Sequence, residues 1–236
     1  MNVLRSAFFA VWLFGGSAIL ATAYLPTLIM PRQAIQACIR FWGHYVALGL
    51  RLIGIKIEFR GVEYRPTGAA LIAAKHQSML DITSGLTTLP DSCFIMKQEL
   101  LRIPLFGWLC LKVGMVPLDR SGRMAALKKM LVDVRERFKD DRQVIIFPEG
   151  TRTPPGQGGP YHSGVAALYR ELGMPCHLIA TNSGVHWEGH GLMRYPGTVV
   201  FEYLPPIPPG LKSKAFMAEM EARIEAASRR LYEEDL

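Results

Sequence analysis

Between Ser6 and Met30 lie 25 consecutive residues without a charged side chain. As a helix such a run measures about 37 Å, more than the roughly 30 Å hydrocarbon core of a bilayer. The chain therefore opens with a segment suited to lipid. Ala21-Thr22-Ala23 has the small-residue pattern of a cleavage site, which keeps a removed leader as the alternative. The next segment argues against export. Residues 33–55 are again largely apolar, yet Gln33, Gln36, Arg40, His44 and Arg51 fall within a stripe of roughly 80° on a helical projection. One thin polar stripe on a greasy helix suits residence at a membrane interface. Gly15-Gly16, Pro26 and Pro31 interrupt the apolar pattern, so a single span and a helical hairpin dipping into one leaflet both fit. Arg32, Arg40, Arg51 and Lys56 after the segment outnumber Arg5 before it, which places the remainder on the cytoplasmic side.

Half of the 236 residues are hydrophobic and 20% are charged, which excludes disorder and low-complexity architectures. A net charge of +7 on so apolar a chain is what an anionic bilayer surface attracts. Nucleic acid also attracts basic chains, but here the basic residues are dispersed and no aromatic-basic recognition motif accompanies them. Cys38, Cys93, Cys110 and Cys176 are far apart with no C-x-x-C pair, so neither a zinc ribbon nor a thioredoxin-type motif is written. They read as reduced, mostly buried thiols of a cytosol-facing protein.

Beyond residue 55 short apolar runs alternate with amphipathic stretches, the pattern of an α/β domain. Strands are expected near 55–60, 70–74, 93–96, 113–117, 143–147, 177–181 and 198–204. Helices are expected near 79–89, 122–139, 162–172 and 213–234. The last has the clearest period, with Phe216, Met220, Ile224, Ala227 and Leu231 on one face. The expected organisation is a membrane-associated helical segment over 1–55 and one domain over 56–236. Its fold class is α/β, a mixed, largely parallel sheet flanked by helices, preceded by an N-terminal membrane-embedded helical pair.

Two stretches can carry chemistry. His76-Gln77-Ser78-Met79-Leu80-Asp81 directly follows the apolar strand Leu71-Ile72-Ala73-Ala74. Positions five apart on one helix diverge by about 140°, so His76 and Asp81 meet only if His76 precedes the helix. Ser78-x-x-Asp81 reads as a capping box that permits this. Asp81 can then hold one imidazole nitrogen and leave the other free as a base. Equally, Asp81 can be a helix cap and His76 a turn residue. The second stretch, Phe147-Pro148-Glu149-Gly150-Thr151-Arg152, closes another apolar strand and opens a loop rich in Gly and Pro. There Gly150 allows close approach of a ligand, Arg152 offers a planar fork for phosphate, and Glu149 can fix that arginine or hold a hydroxyl. Lys97 and Arg120 also close apolar strands, and a mostly parallel sheet gathers such cations along one edge. Gathered cations imply an anionic substrate, and the greasy start implies a lipid one. His186 and His190 stand at i, i+4 without the glutamate of a zinc-peptidase signature, and no G-x-S-x-G elbow marks a nucleophilic serine.

With these residues in place the chain resembles the glycerolipid acyltransferases of the 1-acylglycerol-3-phosphate (lysophosphatidate) type, the PlsC-like enzymes. Four ordered blocks carry the resemblance over roughly residues 70–185. His76 to Asp81 looks like the H-x-x-x-x-D block, Gly114 to Arg120 like the second, and Phe147 to Arg152 matches the third in full. Gly173 to Ala180 is similar to the fourth, with Leu178 where a second proline is common. Lys75 stands where many members have Asn. The resemblance implies that His76 is the general base, oriented by Asp81, for direct attack of a glycerol hydroxyl on an acyl thioester. It implies that Arg120, Glu149, Gly150, Thr151 and Arg152 hold the glycerol phosphate, with Lys97 an additional contact. It implies no metal and no cofactor, acyl-CoA or acyl-carrier protein being a co-substrate. The partners are then lysophosphatidic acid, the acyl donor and a lipid bilayer, the place is the cytoplasmic face of a membrane, and the product is phosphatidic acid. Other acceptors (glycerol 3-phosphate, another lysophospholipid, a lyso-aminolipid) or a non-catalytic lipid-binding module are the alternatives.

Overall fold

The computed structural model describes residues 1–235. The uncharged run forms one continuous helix, built of α1 (Asn2–Ala10), a π-helical stretch (Val11–Gly15) and α2 (Gly16–Ala23). A 3₁₀ turn (Leu25–Ile29) and Pro31 end it, and α3 (Arg32–Leu52) runs back alongside. Trp12 stacks on Tyr45 at 4.7 Å while Trp42 donates to Ser17 Oγ, so the two helices are antiparallel. Among the described residues only Asn2–Ala23 is long and apolar enough to cross a membrane. Within the polar stripe of α3, Gln33, His44 and Arg51 are exposed, while Gln36 and Arg40, together with Arg32 outside the stripe, reach the domain. Arg32 pairs with Asp91 at 2.7 Å, Gln36 donates to the Pro90 carbonyl, and Arg40 donates to the Leu89 carbonyl. These bonds seat the hairpin on the domain. Phe9, Leu13, Ile35, Val46 and Leu50 extend the same core that holds Ile72 and Val144, so no separate core divides the first 55 residues from the rest.

Seven strands follow: β1 (Ile55–Arg60), β2 (Ala70–Ala74), β3 (Ser92–Lys97), β4 (Val116–Leu118), β5 (Gln143–Ile146), β6 (Cys176–Thr181) and β7 (Gly197–Ile207). They form one sheet in the order β1-β7-β6-β2-β5-β3-β4. Only the β6–β7 pair is antiparallel, which makes the sheet mixed and largely parallel. The central strands β2 and β5 are buried at every position, as nearly continuous apolar runs covered on both faces require, and the one polar residue, Gln143, bonds to the Gly68 and Asp141 carbonyls. Strand β1 lies at the sheet edge, and its Ile55, Ile57 and Phe59 alternate with Lys56, Glu58 and Arg60.

The flanking helices are α4 (Asp81–Thr88), α5 (Phe106–Val113), α6 (Arg123–Lys139), α7 (Gly164–Leu172), the short α8 (Ser183–His186) and α9 (Ser213–Glu233). All five residues of the expected α9 stripe are buried. The strand expected near 113–117 is present but starts later, as β4 at Val116, because α5, a helix the sequence does not announce, runs through Val113. A short apolar run does not reveal its period, and Gly114, left-handed at φ +78°, is the cap that divides helix from strand.

Candidate active site

The carboxyl ends of β2, β5, β3 and β4 lie side by side, so the residues leaving them share one edge of the sheet. Lys75 extends the β2 ladder by one bond to the Ile179 carbonyl, and a turn then separates His76 from α4. The helix starts at Asp81, two residues later than the capping box suggests. His76 Nδ1 and Asp81 Oδ2 are 2.9 Å apart. The same oxygen accepts the backbone N–H groups of Gln77 (2.7 Å) and Ser78 (2.9 Å). Oδ1 accepts the hydroxyl of Ser183, whose own oxygen lies 2.9 Å from Ser78 Oγ. The Asp81 carboxyl group is surrounded by donors and accepts from each of them. With Asp81 Oδ2 as acceptor, the N–H of the pair lies on His76 Nδ1, and Nε2 is the ring nitrogen away from the carboxyl group. The imidazole stacks on Phe147 with centroids 4.1 Å apart, and its side chain is 15% exposed, so it is held flat with an edge open to a substrate.

Glu149 is the second fixed point. Its Oε2 accepts the His76 backbone N–H at 2.9 Å, and Oε1 accepts the Lys75 ammonium at 2.7 Å and the Thr153 hydroxyl at 2.6 Å. Lys75 also reaches Glu225 on α9 at 2.7 Å and the Gln157 carbonyl at 3.1 Å. Both Lys75 and Glu149 are at most 1% exposed. Tyr161 donates to Glu225, and burial, together with the two carboxylates, pushes its phenol far above the usual tyrosine range. Glu149 therefore does not hold Arg152, as the sequence allowed. Its oxygens are filled from Lys75, Thr153 and the backbone, and Arg152 instead donates to the Gly189 carbonyl at 2.6 Å.

Gly150 is left-handed at φ +67°, and a Cβ added there would lie 3.0 Å from His162 Cδ2 and 3.7 Å from Arg120 Cζ. Arg120 and His162 thus flank the Gly150 backbone. Arg120, Thr151 and Lys97 are exposed, Arg152 is half-buried, and Lys97 ends the neighbouring strand β3. Sequence reasoning missed His162, Ser183 and Glu225. His162 lies within the flagged Gly/Pro loop and was findable there, whereas Ser183 and Glu225 come from distant elements and carry no local signal.

The remaining nucleophiles are poorly placed for chemistry. Cys93, Cys110 and Cys176 are buried, and burial pushes their thiols up to about 11, about 12 and about 12. Such thiols carry almost no thiolate at neutral pH. Ser78 is fully buried within the Asp81 network. His186 is a core residue whose Nδ1 faces the Tyr195 carbonyl and whose Nε2 lies 2.7 Å from Asp235.

Comparison with known proteins agrees with this geometry. The Acyltransferase family model matches residues 56–181. A 1-acyl-sn-glycerol-3-phosphate acyltransferase of Pseudomonas aeruginosa is 32% identical over 96% of this chain and 89% of its own length. One of the same name from Helicobacter pylori is 29% identical over 86% of this chain and 82% of its own. The mouse alpha form is 31% identical over 66% of this chain and 56% of its own. In fold, the chain is similar to the crystal structure of the 1-acyl-sn-glycerophosphate acyltransferase PlsC from Thermotoga maritima. That match has a TM-score of 0.74 and 22% identity, and covers 98% of this chain and 97% of the other. The chain belongs to the acyltransferase family that includes the 1-acyl-sn-glycerol-3-phosphate acyltransferases.

Proposed function

We propose that the chain transfers an acyl group from acyl-CoA or acyl-carrier protein to the free hydroxyl of 1-acylglycerol 3-phosphate, giving phosphatidic acid. The observation that carries this reading is the His76–Asp81 pair, held by two backbone N–H groups and the Ser183 hydroxyl. Nε2 takes the proton of the acceptor hydroxyl as its oxygen attacks the thioester carbonyl. The C–O bond forms, the C–S bond breaks, and the proton passes from Nε2 to the departing thiolate. Base catalysis of this kind supplies about 10²–10⁴ in rate. Asp81 fixes the tautomer and compensates the transient imidazolium. Arg120, Arg152 and Lys97 supply cations for the acceptor phosphate, with the His162 ring edge, the Gly150 backbone and the Thr151 hydroxyl beside it. Glu149 and Lys75 act through His76 by fixing its backbone.

The apolar helix Asn2–Ala23, with Phe8, Phe14 and Ile19 exposed, seats the site at the cytoplasmic face of a membrane, where both greasy substrates lie. The test is acyl transfer from radiolabelled acyl-CoA or acyl-carrier protein to 1-acylglycerol 3-phosphate, comparing wild type with His76→Ala. Phosphatidic acid from wild type and none from a folded variant is the expected result. Transfer to a different acceptor alone would revise the substrate, and equal rates would remove His76 as the base.

A further inference from the structure

We propose that the segment Leu100–Leu111 is a second bilayer contact, distinct from the N-terminal helix, and that it docks on an anionic phospholipid surface. This rests on the membrane reading above and adds a surface that the greasy start does not include.

The segment bears five exposed apolar side chains: Leu100, Ile103, Phe106, Trp108 and Leu111. Trp108 is 54% exposed and Leu111 55%. On α5 the side occupied by Gly107, Leu109, Cys110 and Val113 is buried, whereas Trp108 and Leu111 point outward with Lys112 beside them. An exposed cluster of this kind has a partner, and isolated surface apolar residues do not explain five within twelve positions. The display is also built. Leu105 adopts φ +63°, where a bulky side chain is an outlier, and makes the sharp turn into α5. Gly107 allows the turn to close, since a Cβ there would lie 2.0 Å from the Leu101 carbonyl oxygen. The chain thus accepts an unfavourable backbone conformation to hold this segment outward.

Two observations identify the occupant as lipid. Helix α5 packs against α3 and against the 3₁₀ turn Leu25–Ile29, which ends the membrane-length helix and exposes Ile29 and Met30. The apolar surface of Leu100–Leu111 therefore lies beside the one already assigned to the bilayer. In addition, Glu99 is the only acid within residues 97–113, against Lys97, Arg102 and Lys112. Aromatic and aliphatic side chains among cations are what the headgroup boundary of an anionic bilayer takes up.

The test uses the full chain with Cys38→Ser, the other native thiols being buried and unreactive. An environment-sensitive fluorophore is placed singly on Leu111→Cys, on Phe14→Cys in the N-terminal helix, or on Lys129→Cys on the exposed face of α6. Each protein is mixed with vesicles of phosphatidylethanolamine and phosphatidylglycerol, and with phosphatidylcholine vesicles. The expected result is a blue shift and quenching by spin-labelled lipid at 14 and at 111, stronger at 111 with the anionic vesicles, and none at 129. A response at 14 without one at 111 overturns this proposal and leaves the membrane reading standing. Silence at both positions overturns the membrane reading as well. A shift at 111 that needs no vesicles and grows with protein concentration assigns the face to a second copy of the chain and overturns the proposal. As an independent readout, Phe106→Ser with Trp108→Ser is expected to weaken partition onto anionic vesicles by at least about tenfold. The rate on a water-soluble short-chain acceptor should stay within about twofold of wild type, and unchanged partition would contradict the proposal.

Discussion

The two halves of the site are built on opposite principles. Around His76 the protein's own donors and acceptors are already matched: Asp81 serves His76, Gln77, Ser78 and Ser183, and Glu149 serves His76, Lys75 and Thr153. Around Gly150 and the end of β3 the polar side chains are left open, with the charges of Arg120 and Lys97 and the Thr151 hydroxyl exposed. The first half is organised before a substrate arrives, as proton transfer requires. In the second, Arg120 and Lys97 have no ion-pair partner among the described residues, which suits the proposed recognition of an anion. Loss of a residue from the first half should therefore damage kcat and the fold, and loss from the second should damage binding alone.

The largest effect is expected at the base. His76→Ala should lower kcat by about 10²–10⁴ with little change in KM for the acceptor. Asp81→Asn should follow in the same direction, because the amide no longer enforces the tautomer that frees Nε2. Next is the buried ion pair. Lys75→Met leaves Glu149 and Glu225 without their shared ammonium, and denaturant unfolding should show a loss of about 3–5 kcal/mol. Arg120→Ala lies on the open side. Its unfolding midpoint should stay near that of wild type, within about 0.5 kcal/mol, while KM for the phosphorylated acceptor rises about tenfold. Unchanged KM there, or a stability loss like that of Lys75→Met, would break the division.

The smallest effect concerns the thiols. Iodoacetamide at pH 7.5 should leave the activity of Cys38→Ser protein intact, since burial holds the Cys93, Cys110 and Cys176 protons far above that pH. For each, the folded-state value lies above the unfolded value of 9.0, so the folded state keeps its proton longer. Their contribution to stability is complete below about pH 9 and is lost as pH rises through 11–12. Thermal unfolding scans above pH 9 check this, and a midpoint independent of pH would contradict it.

Much of this was legible in the sequence for physical reasons. The short apolar runs of β2 and β5, bounded by turn residues, suit buried strands, and Phe216 to Leu231 follow the period of a helix with one buried face. His76 and Asp81 could be paired from the chain because their partnership is local and depends on one turn. The ionic centre was not legible in the same way. Glu149 reads as a partner for Arg152, three residues away, until the fold brings Lys75 from β2 and Glu225 from α9 to it. Ser183 reaches Asp81 across 102 positions, a contact that no local pattern encodes. Helix α5 carried no assignment in the sequence, because eight residues with a glycine and a single charge have too few positions to show a period. The stripe on α3 was correctly polar but answers to the Leu89–Asp91 turn as well as to solvent.

The division between a closed base and an open cation cluster is tested most directly by one ratio. It is kcat/KM for 1-acylglycerol 3-phosphate over kcat/KM for the phosphate-free 1-acylglycerol, measured in wild type and Arg120→Ala. The account expects the ratio to fall about tenfold or more in the variant while the rate on the uncharged acceptor is kept. A ratio that stays put, or equal losses on both acceptors, would show that Arg120 serves the scaffold or the chemistry and that the open half is not where the phosphate is read.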